Sequence, residues 1–287
     1  MKKTIIHATD YSKNTVAALK FAQLLSSKLG AHLKVIHVFD YPTIINTKVL
    51  EPVPHIEANA YKHHNSKLLK FCKQHLADDL DLRKISTEAI EDKSVVNGII
   101  SLATELDAAM IITGIKGVNF IKEFIMGNTT KHLIEKSSCP VLAIPAEASH
   151  KQLETIVYAS DFLEEDIYAI EKLVEIARPF DGVIKVVHIT TEEEYDGITQ
   201  MEWFKEALKQ KIKYKKIEFE VIFSEDIFDS LRIYLGDVNA DLVVMMEREK
   251  DGFKDKIIHR DLVKRMESYG MIPLMSFNKK NYELINF

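Results

Sequence analysis

At 287 residues, 46% hydrophobic and 28% charged, the chain has the composition of one large or two ordinary globular domains, not of a disordered segment. No apolar run approaches the roughly 18 residues of a membrane span, and the basic start Met1-Lys2-Lys3 lacks the apolar core of a secretion signal. The net charge of −5 is uneven: residues 1–150 hold 18 Lys and Arg against 15 Asp and Glu, and the remainder holds 20 against 28, as expected of two units with different duties.

The first strand is predicted at Ile5 to Ala8. Residues 12–29 place Val16, Leu19, Leu24, Leu25 and Leu29 near helical spacing, and Gly30 ends that helix. Leu33 to Phe39 reads as the second strand and Pro42 to Pro54 as a loop. A helix of about twenty residues then runs to near Leu76. Ile85 to Ile90 is the third strand and Val95 to Leu106 a helix. Ala109 to Thr113 is the fourth strand, Thr129 to Lys136 a helix, and Val141 to Ile144 the fifth strand. Strands alternating with helices imply right-handed crossovers and a parallel sheet covered on both faces.

The order then repeats. Thr4-Ile5-Ile6-His7-Ala8-Thr9-Asp10 matches Thr155-Ile156-Val157-Tyr158-Ala159-Ser160-Asp161, and Lys34-Val35-Ile36-His37-Val38 matches Lys185-Val186-Val187-His188-Ile189. Both matches share one offset of 151 positions, which marks a duplication. The polar stretch Ala146 to Gln152 is the linker. The expected organisation is a domain at 1–146, a second at 152–277 and a tail at 278–287. The fold class is α/β: two tandem doubly wound parallel five-stranded sheets with helices on both faces. In the second copy, Trp203 and Phe204 read as anchors from helix to core.

The two cysteines, Cys72 and Cys139, lack CxxC or histidine partners, which fits a reducing, cytoplasmic setting and argues against redox or metal roles. Cys139 is expected in the interior. His55, His63, His64 and His75 cluster in one region, but adjacent His63 and His64 point about 100° apart on a helix and make a poor chelate. They are expected to be solvated, and His7 and His37 to be satisfied within the core. No metal site is expected.

Three of the ten glycines lie in Gly114-x2-Gly117-x9-Gly127, after the apolar run Ala108 to Ile112 and before a helix. Strand, glycine-spaced loop and helix start are the parts from which an α/β fold builds a phosphate site. Gly114 and Gly117 are expected to permit positive φ and close ligand approach. Asn128 is expected to cap the helix, and Thr129 and Thr130 to add hydroxyls at its start. Lys116 and Lys122 stand nearby. Asp10, at the end of the first strand, either binds a ligand or caps the following helix.

These residues resemble the ATP-binding signature of the universal stress protein family. The resemblance extends to Asp10, to the strand end at Val38 and to Ser138-Cys139-Pro140-Val141-Leu142, and the whole chain is similar to the tandem form. It implies an adenine-nucleotide alpha-hydrolase-like fold. It also implies a nucleotide, ATP, ADP or AMP with or without magnesium, lined by Ala8, Thr9 and Asp10 and met by the Val38 backbone. Thr113 and Gly114 would approach the ribose; Gly117, Gly127, Asn128, Thr129 and Thr130 would hold the phosphates. Asn128 departs from the family, which usually has Ser or Thr there. Pairing of the two domains through the closing strands, Val141–Ile144 and Leu274–Phe277, is implied as well, with a homodimer left open and no nucleic acid or membrane partner. The role implied is regulatory or protective. The alternatives are a slow ATPase or nucleotidyl-transfer enzyme, and a scaffold that binds no nucleotide. The chain has no Ser-Gly-Gly-x-Asp-Ser loop after the first strand and no His-x-Gly-His, which argues against a ligase or synthetase.

Aligning Ala108 to Ile112 with Ala240 to Val244 turns the three glycines into Met246, Glu249 and His259, with Arg260 and Asp261 following. Glu247 and Glu249 would put negative charge where phosphates sit. The second copy is therefore expected to have lost the site, with Asp161 acting only as a helix cap.

Overall fold

The computed structural model describes residues 3–40, 53–76, 84–115, 127–148, 152–191, 197–248, 272–278 and 281. The first half runs β1 (Thr4–Ala8), α1 (Asn14–Leu29), β2 (His32–Phe39), α2 (Val53–Leu76), β3 (Ile85–Glu91), α3 (Val95–Glu105), β4 (Met110–Ile115), α4 (Asn128–Lys136) and β5 (Val141–Pro145). The second half runs β6 (Thr155–Ala159), α5 (Glu164–Ala177) with a 3-10 turn at Arg178–Phe180, and β7 (Val183–Thr190). It continues through α6 (Gly197–Lys211), β8 (Ile217–Phe223), α7 (Ile227–Asp237), β9 (Leu242–Glu247) and β10 (Leu274–Asn278).

Local chemistry sets the helix ends. α1 stops at Gly30, which takes the left-handed conformation at φ 62° that side chains resist. α3 starts at Ser94, whose hydroxyl accepts the Asn97 N–H at 3.3 Å. α7 starts at Asp226, whose carboxylate accepts the Asp229 N–H at 3.0 Å. α2 begins at Val53, earlier than the predicted loop allows, and residues 41–52 of that loop lie outside the described residues.

Each half is a five-stranded parallel sheet, in the orders β3-β2-β1-β4-β5 and β10-β9-β6-β7-β8. The two join edge to edge. β10 runs antiparallel to β5, with Leu274 opposite Ala143, Met275 opposite Leu142 and Ser276 opposite Val141. The result is one ten-stranded sheet. The join pairs two fully buried strands whose edges would otherwise offer bare N–H and C=O groups.

One apolar cluster covers the same sheet face in both halves. It runs from Ile5, Phe21, Leu25 and Leu33, through Leu142, Ile144, Met275 and Phe277 at the seam, to Ile156, Phe162, Ile170 and Leu173. The opposite face carries two separate clusters, one joining Ile6, Ile36 and Ile111 to α3 and α4, the other joining Val157 and Val243 to α7. Fully burying such a side chain stabilises by about 1.5–3 kcal/mol, so opening the seam would be costly. Phe204 is fully buried and its ring lies 5.3 Å from that of Phe162. Trp203, expected beside it in the core, is instead 55% exposed. Adjacent helix positions diverge by about 100°, and the core takes only one of them.

Candidate functional site

β1 and β4 are neighbours, with Ala8 opposite Thr113, so Asp10 and Gly114 lie at the same end of the sheet. Thr9 is buried and belongs to the frame: its N–H reaches Ile36 O at 2.9 Å, and its hydroxyl pairs with the Thr15 hydroxyl at 2.8 Å and accepts the Tyr11 N–H at 3.0 Å. Asp10 is exposed, and its Oδ1 accepts the Ser12 N–H at 2.9 Å in a turn ahead of α1. It does not cap the helix, because Lys13 holds that position without a side-chain bond. Its second oxygen has no hydrogen-bond partner among the described residues, leaving a carboxylate acceptor at the strand end. Ala8 is half-buried against the core.

Ile36 directs its carbonyl toward β1 to meet Thr9. Val38 lies one strand period further on, where β1 has ended, so its backbone polar groups point past the last β1 residue. Its side chain is buried against Gly98 of α3.

The glycines divide by task. A Cβ on Gly114 would lie 2.6 Å from Asn14 O and 2.9 Å from Thr15 Cα, so this glycine admits the first turn of α1 against β4. Its φ is not positive, contrary to expectation; the backbone of α1, not a left-handed turn, requires it. Gly127 sits at the N-cap of α4 with φ −59° and ψ 136°, and a Cβ there would meet nothing within 4 Å among the described residues. Gly117, Lys116 and Lys122 lie outside the described residues.

Asn128 is the first residue of α4, not its cap. The amides of Asn128 and Thr129 precede any intrahelical acceptor, whereas the Thr130 N–H is engaged by Gly127 O at 3.1 Å. The Thr130 hydroxyl is buried and pairs with the Thr113 hydroxyl at 3.3 Å, which pins the start of α4 to the end of β4. Thr113 and Thr130 therefore build the frame. Gly127, Asn128 and Thr129 present a helix N-terminus suited to an anion.

An aromatic group beside β1 and β2 escapes sequence inspection. His37 Nδ1 bonds Thr9 O at 2.8 Å, and the His37 ring lies 4.3 Å from Tyr11 and 5.3 Å from His64. His64 stacks on Phe39 at 4.2 Å, and the Lys67 ammonium lies 4.1 Å over the Tyr11 ring. Burial, then neighbouring cationic groups, lower the pKa of His64; burial also lowers that of His37. His64 is thus a packed ring, not a solvated one. The signal for the Tyr11–His37 part of the group was the shared offset, which pairs Tyr11 with Phe162 and His37 with His188; the Phe162 and His188 rings also lie 4.9 Å apart.

His7 is fully buried with Nδ1 on Ile112 O at 3.1 Å, so Nδ1 carries the proton. Among the described residues its Nε2 has no hydrogen-bond partner, so the expected satisfied core histidine is only half satisfied. Desolvation lowers its pKa to about 4. Cys72 and Cys139 are buried, and burial raises their thiols to about 12 and about 11. The described residues contain no group of three potential metal ligands and no helix long and apolar enough to cross a membrane.

The second half has the same register with different chemistry. Ile156 faces Leu242 as Ile5 faces Met110, which puts Met246 at the place of Gly114 and Asp166 at that of Thr15. Asp166 is fully buried and accepts from Tyr158 Oη at 2.8 Å, Ser160 Oγ at 2.9 Å, Leu163 N at 3.2 Å and Arg248 Nη2 at 2.7 Å. Burial raises its pKa and Arg248 opposes the rise. The same guanidinium pairs with Asp161 at 3.3 Å and Glu165 at 3.7 Å. Asp161 is therefore an ion-pair partner and not the expected helix cap; Asp166 supplies the capping carboxylate of α5. Glu247 is buried at the end of β9, and Glu249, His259, Arg260 and Asp261 lie outside the described residues.

The model of the universal stress protein family matches residues 1–145 and 152–260. A relative from Staphylococcus saprophyticus bearing the universal stress protein name is 26% identical over 162 residues, which is 56% of this chain and 93% of the relative. The crystal structure of a universal stress protein from Archaeoglobus fulgidus superposes with a TM-score of 0.68 at 16% identity, covering 96% of this chain and 98% of that one. A structure from Pseudomonas aeruginosa gives 0.65 at 15% identity, over 99% and 97%. The two structural likenesses concern the fold, and the family match covers both halves. The chain belongs to the universal stress protein family, in tandem form.

Proposed function

We propose that this chain is a cytoplasmic regulatory or protective stress protein of two domains, 1–146 and 152–277, which holds ATP or a related adenine nucleotide in the first domain only. The contrast between the strand ends at Asp10 and Asp161 carries this reading. In the first half, among the described residues, nothing fills the space beside Gly127 at a helix N-terminus and one Asp10 oxygen has no hydrogen-bond partner. In the second, Arg248 already neutralises the acids at the corresponding strand end. Asp10 and the Val38 backbone suit a ribose or adenine, and the amides of Asn128 and Thr129 suit phosphates. Magnesium would serve the phosphates.

The test is nucleotide extraction from the purified chain followed by mass spectrometry, with ATP titration of the emptied protein. An adenine nucleotide in the wild type and none in Gly127→Val is the expected result. A Gly127→Val chain that still carries nucleotide would exclude the phosphate assignment. Phosphate release measured alongside separates binding from hydrolysis.

A further inference from the structure

The last carbonyls of a helix have no intrahelical donor. In α4 one of them, Ile134 O, and the carbonyl of the cap residue Ser137 are served by the other half of the chain. Asn278, the last residue of β10, donates from Nδ2 to Ile134 O at 2.7 Å and to Ser137 O at 2.9 Å. Asn281 Nδ2 adds a second donor to Ser137 O at 3.2 Å, and its Oδ1 accepts the Asn278 N–H at 2.9 Å. Ile134, Ser137, Asn278 and Asn281 are all buried, so water does not replace these bonds without local opening.

α4 is only nine residues long. A helix this short is marginal by itself and takes its position from what it touches. The Thr113–Thr130 hydroxyl pair holds its start, Leu133 and Ile134 rest in the core, and the two asparagines hold its end. Resting on the nucleotide reading above, we propose that Asn278 and Asn281 are positioning residues for the nucleotide. The second half clamps the C-terminal end of α4 and so sets where the Asn128 and Thr129 amides meet the phosphates. This assigns the second half a task that needs no ligand of its own.

The test uses the full chain, with calorimetric titration of ATP and of adenosine into the wild type, Asn278→Ala and Asn281→Ala. Adenosine has no phosphates and reports the rest of the site. Asn278→Ala is expected to weaken ATP by about tenfold, the loss of roughly one well-placed interaction, and Asn281→Ala by less, with adenosine affinity unchanged in both. A merely structural role would not separate the two ligands. Should Asn278→Ala fail to fold, Asn281→Ala carries the test, because it leaves the Asn278 donors in place. Folded variants that bind ATP as the wild type does, or that lose ATP and adenosine equally, overturn the clamp alone. A wild type that binds neither ligand overturns the nucleotide reading and the clamp's role with it.

Discussion

The Arg248 guanidinium donates to the fully buried Asp166 carboxylate at 2.7 Å, across 82 positions of chain. Removing one partner of such a pair leaves an uncompensated charge in the interior, which costs more than the pair contributes. Arg248→Leu is expected to lower unfolding stability by about 3 kcal/mol, and adding Asp166→Leu should recover part of that loss. Urea unfolding of the two single variants and the double variant gives the coupling. Strictly additive effects would mean that the pair does not act as a unit.

His7 makes stability depend on pH. Its pKa is about 4 in the fold and about 6.5 in an unfolded chain. Above pH 6.5 it is neutral in both states. As pH falls from 6.5 to 4 only the unfolded chain gains the proton, so stability is lost across that window, by roughly 3 kcal/mol in total. His7→Phe should flatten this part of the profile when unfolding free energy is measured from pH 7 to pH 4. An unchanged slope would place the effect elsewhere.

Gly114 and Gly127 should respond oppositely to alanine. At Gly114 the new methyl meets backbone 2.6 Å away, and the resulting overpacking is expected to cost about 1–3 kcal/mol. At Gly127 the methyl meets none of the described residues within 4 Å at an ordinary φ of −59°, so stability should hold or rise by up to about 1 kcal/mol. Thermal melts of the two variants decide; equal destabilisation would contradict the distinct packing of the two sites.

Cys72 and Cys139 are buried, with thiols raised to about 12 and about 11. The thiolate is the reactive form, so neither should react with an aromatic disulfide reagent at neutral pH in the native chain. Both should react once denaturant is added. Prompt release of reagent absorbance from native protein would show that one of them is accessible.

The repeat offset of 151 positions and the glycine spacing were readable because they are local patterns along the chain. The offset carries through to the sheet, where Thr4 of β1 faces His32 of β2 and Thr155 of β6 faces Val183 of β7. Less was readable at the site. Gly114 looked like a ligand-facing turn, yet the nearby backbone of Asn14 dictates it. The hydroxyls of Thr9 and Thr130 each engage another threonine, Thr15 and Thr113, a pairing that no local pattern shows. Asp161 looked like a cap, yet it faces an arginine 87 positions later. Trp203 and Phe204 both looked like core residues, and only packing geometry separates them.

The sequence by itself determined the α/β class, the duplication and the family, because hydrophobic period, turn residues and motif spacing are written along the chain. The resemblance implied pairing through the closing strands; tertiary structure supplied the antiparallel β5–β10 register that makes one ten-stranded sheet. It also decided that Arg248 occupies the acids of the second half and that Asn278 closes α4. Each of these depends on a polar group finding a partner that is remote in sequence and shielded from water, and no local periodicity records such a meeting.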